Sequence, residues 1–584
     1  MSAPGNAARS TARRAARAAW PYAAVLAASL PVSAVTDWRC APAFAAGGVT
    51  ASIGRRLHEA HGWHRAGGKA AMRRRRKFQG TAGWREISEK LSPRAARRHA
   101  ARTCPDLDPS EAPVIIGRAK GRVIADTWTG SRLVYAPPQT LKTGLASCWA
   151  ADAPGALLAF SSRCDQYSHT YRARAARGPV RVLNADGEGG IPTDFAWSPV
   201  DGCADPAVAM RRAGDLIAAA PRDPSGRDAH WDALSKDLLQ FLLRAAALDR
   251  GADLRAVRFW ASSPAAAAGA AEILKHAPAA AGGTGHDDWA ARLAGMLLHA
   301  REDERYWSAV SQGVTTALAW LDDPVMTAAA CPRPGEGIDL RRFIEDGAGT
   351  IYMIGADREH GSLAPYFAAF GAEAFHAARS AAEARPGRRL RRPFVIVADE
   401  AATIVPLPWD KITAVSSGYG IGITACVQAD SQLTARWGEA RAATIRTNFT
   451  TKIIGPGFTD PGELEALSLV CGETDSWHGS KDHLVRERLY PPERIRLLRD
   501  WHALVVHRNA RPLEVKVTPV WARPGYDPAP PPAQPPARQP AAVRQRPAPA
   551  AVPGSGRPQV ASLVPATAEE VPSWQDSRGV PAAR

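Results

Sequence analysis

The chain has 584 residues, 45% of them hydrophobic, and 74 Lys and Arg against 57 Asp and Glu, a net charge of +17. Residues 1–102 carry 20 basic and 4 acidic residues, and the other 482 carry 54 and 53, so the charge belongs to the N-terminus and the body is close to neutral. Length and apolar content allow about two to four cored domains, and eight scattered cysteines without a CxxC pair point away from a disulfide framework or zinc site and toward a reducing compartment.

Arg9, Arg13, Arg14 and Arg17 precede an uncharged run from Ala18 to Thr36, and a second uncharged run extends from Cys40 to Gly54. A basic block that includes Arg73-Arg74-Arg75-Arg76-Lys77 follows. Short apolar runs with arginines outside both ends predict a helical hairpin over residues 1–60, with both ends cytoplasmic. That gives a protein at the cell membrane, its body facing the cytoplasm. Two rival readings stay open: a cleaved signal peptide with "APAFAAGG" as its processing region, and a peripheral segment. The basic linker, residues 61–104, reads as a membrane-surface contact rather than a reader of nucleic-acid sequence. His58, Glu59, His61 and His64, at the junction of the two segments, lack the spacing of a metal site.

From residue 105 short apolar runs alternate with helical patterns. "RLVYA" (132–136), "LLAFSS" (157–162), "VRVLNA" (180–185), "TIYMIGA" (350–356), "FVIVAD" (394–399), "GITACVQ" (422–428), "TKIIGPG" (451–457) and "ALVVHR" (503–508) read as strands buried on both faces of a parallel sheet. The predicted class is α/β, with the α/β domain split into residues 105–204 and 341–523. Residues 205–340 are helical throughout in pattern and read as an inserted all-α domain. Residues 524–584, rich in Pro, Ala, Gln and Arg, read as a disordered tail.

The stretch Ala136-Pro137-Pro138-Gln139-Thr140-Leu141-Lys142-Thr143, followed by Gly144, has the eight-residue spacing of GxxxxGK[ST] after a strand and before a helix. In such a loop the lysine neutralises the β and γ phosphates and the next hydroxyl ligates Mg²⁺. Ala136 and Leu141 stand at the glycine positions. Leu141 is the serious departure, because a leucine held in a conformation that favours glycine costs about 1–3 kcal/mol. "RRPFVIVADEAATI" ends an apolar strand on Asp399-Glu400, the arrangement of a Walker B pair. Asp399 would hold the metal shell and Glu400 would orient and activate the attacking water. The next strand ends on Gln428, placed to sense a γ-phosphate or water.

The order and wording of these segments over roughly residues 80–520 resemble the TraG/TraD-type coupling proteins of type IV secretion. The likeness includes "LSPRAARRHAARTCPDL", "LNADGEGGIPTDFAWSPVDGCADPAVAMRRAGDLI", "FLLRAAALDRGADLRAVRFW" and "LAWLDDPVMTAA". The resemblance implies a RecA-like P-loop fold with the all-α domain facing incoming substrate, a membrane anchor, a homo-hexamer and ATP with Mg²⁺ as cofactors. Its partners would be DNA taken without regard to sequence, or a relaxase–DNA complex, and the components of a type IV secretion channel. Carried over by position, Lys142, Glu400 and Gln428 are catalytic, Ala136 to Gly144 bind nucleotide, and Thr143 and Asp399 hold Mg²⁺. Asn448 falls near a subunit boundary, and Arg441 and Arg446 are candidates for an arginine acting on a neighbouring subunit's site. Two alternatives stand beside this DNA-translocating ATPase: a membrane-tethered receptor of the same fold that hydrolyses nothing, favoured by Leu141, and a chromosome-segregation translocase of the FtsK type.

Overall fold

The computed structural model describes residues 80–221, 229–249, 251–276, 286–333, 335–477 and 484–527. The anticipated membrane anchor, most of the basic linker with its histidines, and nearly all of the Pro-rich tail lie outside these residues. Among the described residues, no helix is long and apolar enough to cross a membrane.

The strands are β1 (Pro113–Ala119), β2 (Arg122–Thr127), β3 (Ser131–Tyr135), β4 (Leu157–Ser161), β5 (Val180–Asn184), β6 (Thr350–Ile354), β7 (Phe394–Ala398), β8 (Ile421–Val427), β9 (Thr451–Ile454), β10 (Glu473–Trp477), β11 (Leu484–Arg488), β12 (His502–His507) and β13 (Leu513–Lys516). Eleven of them form one sheet in the order β2-β1-β13-β12-β9-β3-β8-β7-β4-β6-β5, and β10 and β11 form a separate hairpin. From β9 to β5 every pairing is parallel. β12, β13, β1 and β2 extend this sheet by antiparallel pairings. This is a mixed α/β fold with a RecA-like arrangement of sheet and helices.

All eight anticipated strands are present, and "ALVVHR" runs antiparallel to its neighbour β9 rather than parallel. Every residue of β3, β4, β6, β7 and β8 is buried. Their side chains divide by alternation between two cores. Leu133, Phe160, Ile396 and Val427 face one, and Val134, Ala159, Val397 and Cys426 face the other. Burial on both faces is why these runs show no polar alternation.

Five of the described helices start where the sequence writes Ser-Pro or Asp-Pro. Ser92, Asp205, Ser263, Asp323 and Asp460 each accept a hydrogen bond from a first-turn backbone N–H, and the proline that follows gives up a donor the first turn cannot use. Between β5 and β6, the described residues from 206 to 330 are mostly helical, and a further helix spans Leu340–Asp346. Their buried residues, such as Leu216, Leu242 and Trp307, run into the same core as one face of the sheet. The helical segment therefore shares a core with the α/β layer. Tyr366 at the sheet donates to the Trp197 carbonyl at 2.9 Å, inside that junction.

Helix Asp430–Asn448, between β8 and β9, returns from the carboxyl edge of the parallel strands to the opposite edge and is interrupted at Gly438 (φ 73°, ψ 162°). At its far end the Asn448 carbonyl accepts from Ser131 Oγ at 2.9 Å. Beside it lies a buried polar cluster. Thr451 Oγ1 donates to Asp126 Oδ2 at 2.8 Å, so the Nδ1 of His507, also at 2.8 Å, must be the donor to that hydroxyl. Arg132, fully buried, donates to Thr424 Oγ1 and the Thr127 carbonyl and lies 3.6 Å from Asp126.

Residues 524–527 belong to the folded body and not to the tail. Arg523 makes two bonds to Asp152 at 3.1 and 2.7 Å, Tyr526 Oη pairs with His169 Nδ1 at 2.5 Å, and Arg172 pairs with Asp527.

Candidate functional site

The carboxyl edge of β3 carries the loop 136–141, and helix Lys142–Asp152 follows it. The Ala136 N–H donates to the Val427 carbonyl at 3.1 Å, continuing the β3–β8 ladder. Thr140 Oγ1 closes the loop by donating to the Pro137 carbonyl at 2.6 Å. The left-handed residue of the loop is Gln139, at φ 58°. Leu141 sits at φ −103°, ψ −7°, in the helical region. The cost expected at Leu141 does not arise there, because any residue adopts that conformation. What the leucine needs is space, and Gly455 after β9 supplies it. A β-carbon on Gly455 would stand 2.9 Å from Leu141 Cδ2 and 3.1 Å from Ala136 Cβ.

Lys142 is 7% exposed at the first turn of the helix. Thr143 Oγ1 faces Asp399 Oδ2 at 3.5 Å, and the Asp399 N–H donates to the Phe160 carbonyl at 2.9 Å, fixing the end of β7. Asp399 Oδ1 is buried and accepts no hydrogen bond. Burial pushes the Asp399 carboxyl up to about 6; Lys142 and Thr143 pull it down and Glu400 pushes it up. A buried carboxylate oxygen without a partner, beside a threonine hydroxyl, is the hard-oxygen donor set that fits Mg²⁺, which takes few protein ligands and fills its shell with phosphate and water.

Glu400 is itself left-handed, at φ 58°. Its Oε1 accepts from Gln428 Nε2 at 3.1 Å. The strand order explains the meeting: β8 lies between β3 and β7, so Gln428 emerges between the loop with Lys142 and the carboxylates of 399 and 400. The Gln428 N–H is held in turn by Gln432 Oε1 at 2.8 Å. Lys142, Thr143, Asp399, Glu400 and Gln428 thus converge on one edge of the sheet.

Residues 393–499, which start at β7 and include β8 and β9, match the family described as the TraM recognition site of TraD and TraG. Over that segment the chain resembles the TraG/TraD type. No sequence among the curated proteins matches it. Among solved structures it is similar to the bacterial conjugative coupling protein TrwBΔN70. The unbound monoclinic form is 19% identical with a TM-score of 0.53, over 73% of this chain and 91% of that one. The trigonal form in complex with sulphate is 18% identical with a TM-score of 0.53, over 74% and 92%. The plasmid coupling protein TrwB in complex with ADP and Mg²⁺ is 19% identical with a TM-score of 0.51, over 67% and 85%. At these identities the likeness establishes the shared fold.

The other polar residues singled out by sequence in the described part, Arg441, Arg446 and Asn448, have partners within the chain. Arg441 holds Asp410 through two bonds at 3.0 and 2.7 Å. Arg446 pairs with Asp430 and Glu439. Asn448 Nδ2 donates to the Asp410 carbonyl at 2.8 Å. Gly455 escaped the sequence reading. Its signal is the "GPG" that ends the β9 run, which explains itself only once β9 is seen beside β3. Gly144 also has a packing reason to be glycine. A β-carbon there would stand 3.0 Å from each of Trp501 Cζ3, Trp521 Cη2 and Pro519 Cβ.

Proposed function

We propose that the chain is a membrane-associated, Mg²⁺-dependent ATPase that couples hydrolysis to the passage of DNA, or of a DNA–protein complex, into a type IV secretion channel. The observation that carries this reading is the convergence of Lys142, Thr143, Asp399 and Glu400 around the unpartnered Asp399 Oδ1. Lys142 binds the β and γ phosphates, and the loop N–H groups and the helix N-terminus orient them. Thr143 and Asp399 hold the metal, which when bound neutralises charge building on the phosphates. Glu400 orients the attacking water and accepts its proton. Gln428, bonded to Glu400, reports the state of that carboxylate to helix Asp430–Asn448. TrwB has been solved in complex with ADP and Mg²⁺ and with a non-hydrolysable GTP analogue, in keeping with this chemistry. A homo-hexameric ring, with the helical segment toward the substrate and phosphate contacts indifferent to sequence, follows from the family resemblance.

The non-hydrolysing receptor of the same fold is the weaker reading, because Leu141, its main support, fits beside Gly455 without backbone strain. The test is Mg²⁺-dependent ATP hydrolysis by the full chain, with and without DNA. DNA-stimulated turnover abolished by Lys142→Ala and by Glu400→Gln supports the motor. An oligomeric protein with no turnover supports the receptor.

A further inference from the structure

The nucleotide reading accounts for the phosphate end of a ligand and leaves its other end without a seat. The sheet order says where that end must lie. Glu400 and the γ-phosphate side are reached from β3 through β8 to β7; β9, β12 and β13 lie on the opposite side of β3. β12 runs antiparallel to β9, so its first residues stand at the same edge as the phosphate loop, and so do the last residues of β13, since His502 pairs with Lys516. Trp501 immediately precedes β12, and Trp521 follows β13 in the turn Val520–Ala522.

Both indoles reach the start of the phosphate-loop helix, closing on Gly144 at the distances given above. Their rings are T-shaped, with centroids 5.4 Å apart. Trp521 leans on His169 at 5.2 Å, yet it is 42% exposed. Trp501 holds a left-handed backbone at φ 55°, fixed by the Val517 N–H donating to its carbonyl at 2.8 Å. A strained tryptophan and an exposed one, at the far end of the loop from the water-activating carboxylate, make an aromatic wall where a nucleotide's base emerges.

We infer that Trp501 and Trp521 form the base-stacking subsite of the nucleotide site, with Trp521 as its exposed platform, and that this subsite takes purine nucleoside triphosphates with little distinction between adenine and guanine. Stacking uses the π-face that every base has and so does not by itself distinguish one purine from another. Gly144 is required so that the two rings approach the helix start. The inference rests on the nucleotide reading, and its test separates the two.

The experiment is calorimetric titration of the full chain with Mg²⁺ and, in turn, a non-hydrolysable ATP analogue, the matching GTP analogue and inorganic tripolyphosphate, which has no base. Wild type should bind both nucleotides with dissociation constants within about threefold and tripolyphosphate more weakly. Trp521→Ala should weaken both nucleotides by roughly tenfold and leave tripolyphosphate unchanged, and Trp521→Phe should restore most of the loss. Equal weakening of nucleotides and tripolyphosphate by Trp521→Ala would make Trp521 a support of the helix and overturn the subsite, as would no change in either. Wild-type binding of tripolyphosphate no weaker than nucleotide would also overturn it. A wild-type chain that binds none of the three overturns the nucleotide reading itself, and the subsite with it.

Discussion

Leu141 and Gly455 are a fitted pair: the leucine side chain occupies the space that a β-carbon on the glycine would need, 2.9 Å from where that carbon would lie. The loop that departs from the glycine-rich pattern is matched by a glycine on the neighbouring strand's exit. Gly455→Ala should destabilise the chain by about 1–3 kcal/mol through overpacking. Adding Leu141→Ala should recover part of that loss, although Leu141→Ala alone opens a cavity. Denaturant unfolding of the two single variants and the double variant measures the coupling. Additive effects would show that the two residues do not share the space.

Gln428 is bonded to the carboxylate assigned to water activation, so its removal should be felt in turnover more than in binding. Gln428→Ala should lower kcat by about tenfold to a hundredfold with KM little changed, the expected effect of losing a hydrogen bond to a charged group in the transition state. Steady-state ATPase kinetics of the variant beside Glu400→Gln decides this. A rise in KM with kcat intact would place Gln428 in ground-state binding instead.

The folded body ends near residue 527. A chain stopped after Ala522 loses the Arg523–Asp152 and Tyr526–His169 pairings and should melt a few degrees below a chain stopped after Asp527, for a loss of about 2 kcal/mol. Thermal unfolding of the two truncated chains makes the comparison, and identical melting temperatures would return residues 523–527 to the tail.

His507 predicts a pH dependence of stability. Burial, aided by Arg508, Lys90 and Arg132, holds its imidazole below the ordinary 6.5, against the smaller pull of Asp126. Below pH 6.5 the unfolded chain takes up a proton that the folded chain refuses, so stability falls as pH drops from that value through the folded-state pKa. Asp126 is held below its ordinary 3.8, so it stays ionised between pH 7.5 and 5.5 and adds no slope there. Urea unfolding over that range should show wild type losing more stability than His507→Gln, which keeps a donor for Thr451. Equal slopes would remove His507 from the account.

The central strands were readable because they depend on local chemistry, β-branched and aliphatic runs for the buried parallel layer. The pairing of Lys142, Thr143, Asp399 and Glu400 was readable for a related reason, since phosphate and metal chemistry requires those residue types after strands. β1 and β2 escaped because they form an antiparallel hairpin turning at Lys120-Gly121, both at positive φ, outside the βα pattern that organised the reading. β13 is four residues long and alternates its burial, too short for a period to register. Leu141 was misjudged because its remedy, Gly455, lies far along the chain and becomes a neighbour only through the β3–β9 pairing. Residues 524–527 read as tail because of the Pro- and Arg-rich composition that follows them, while their anchoring depends on single residues, Tyr526 and Asp527.

Helix Asp430–Asn448 begins two residues after Gln428 at one edge of the sheet and ends against Ser131 at the other, beside the cluster of Asp126, Thr451 and His507. One continuous stretch of chain therefore joins Gln428, bonded to Glu400, to the buried cluster at the opposite edge of the sheet. Gly438, at φ 73° and ψ 162°, breaks the helical conformation part-way, so the link is two helical rods on a joint rather than one.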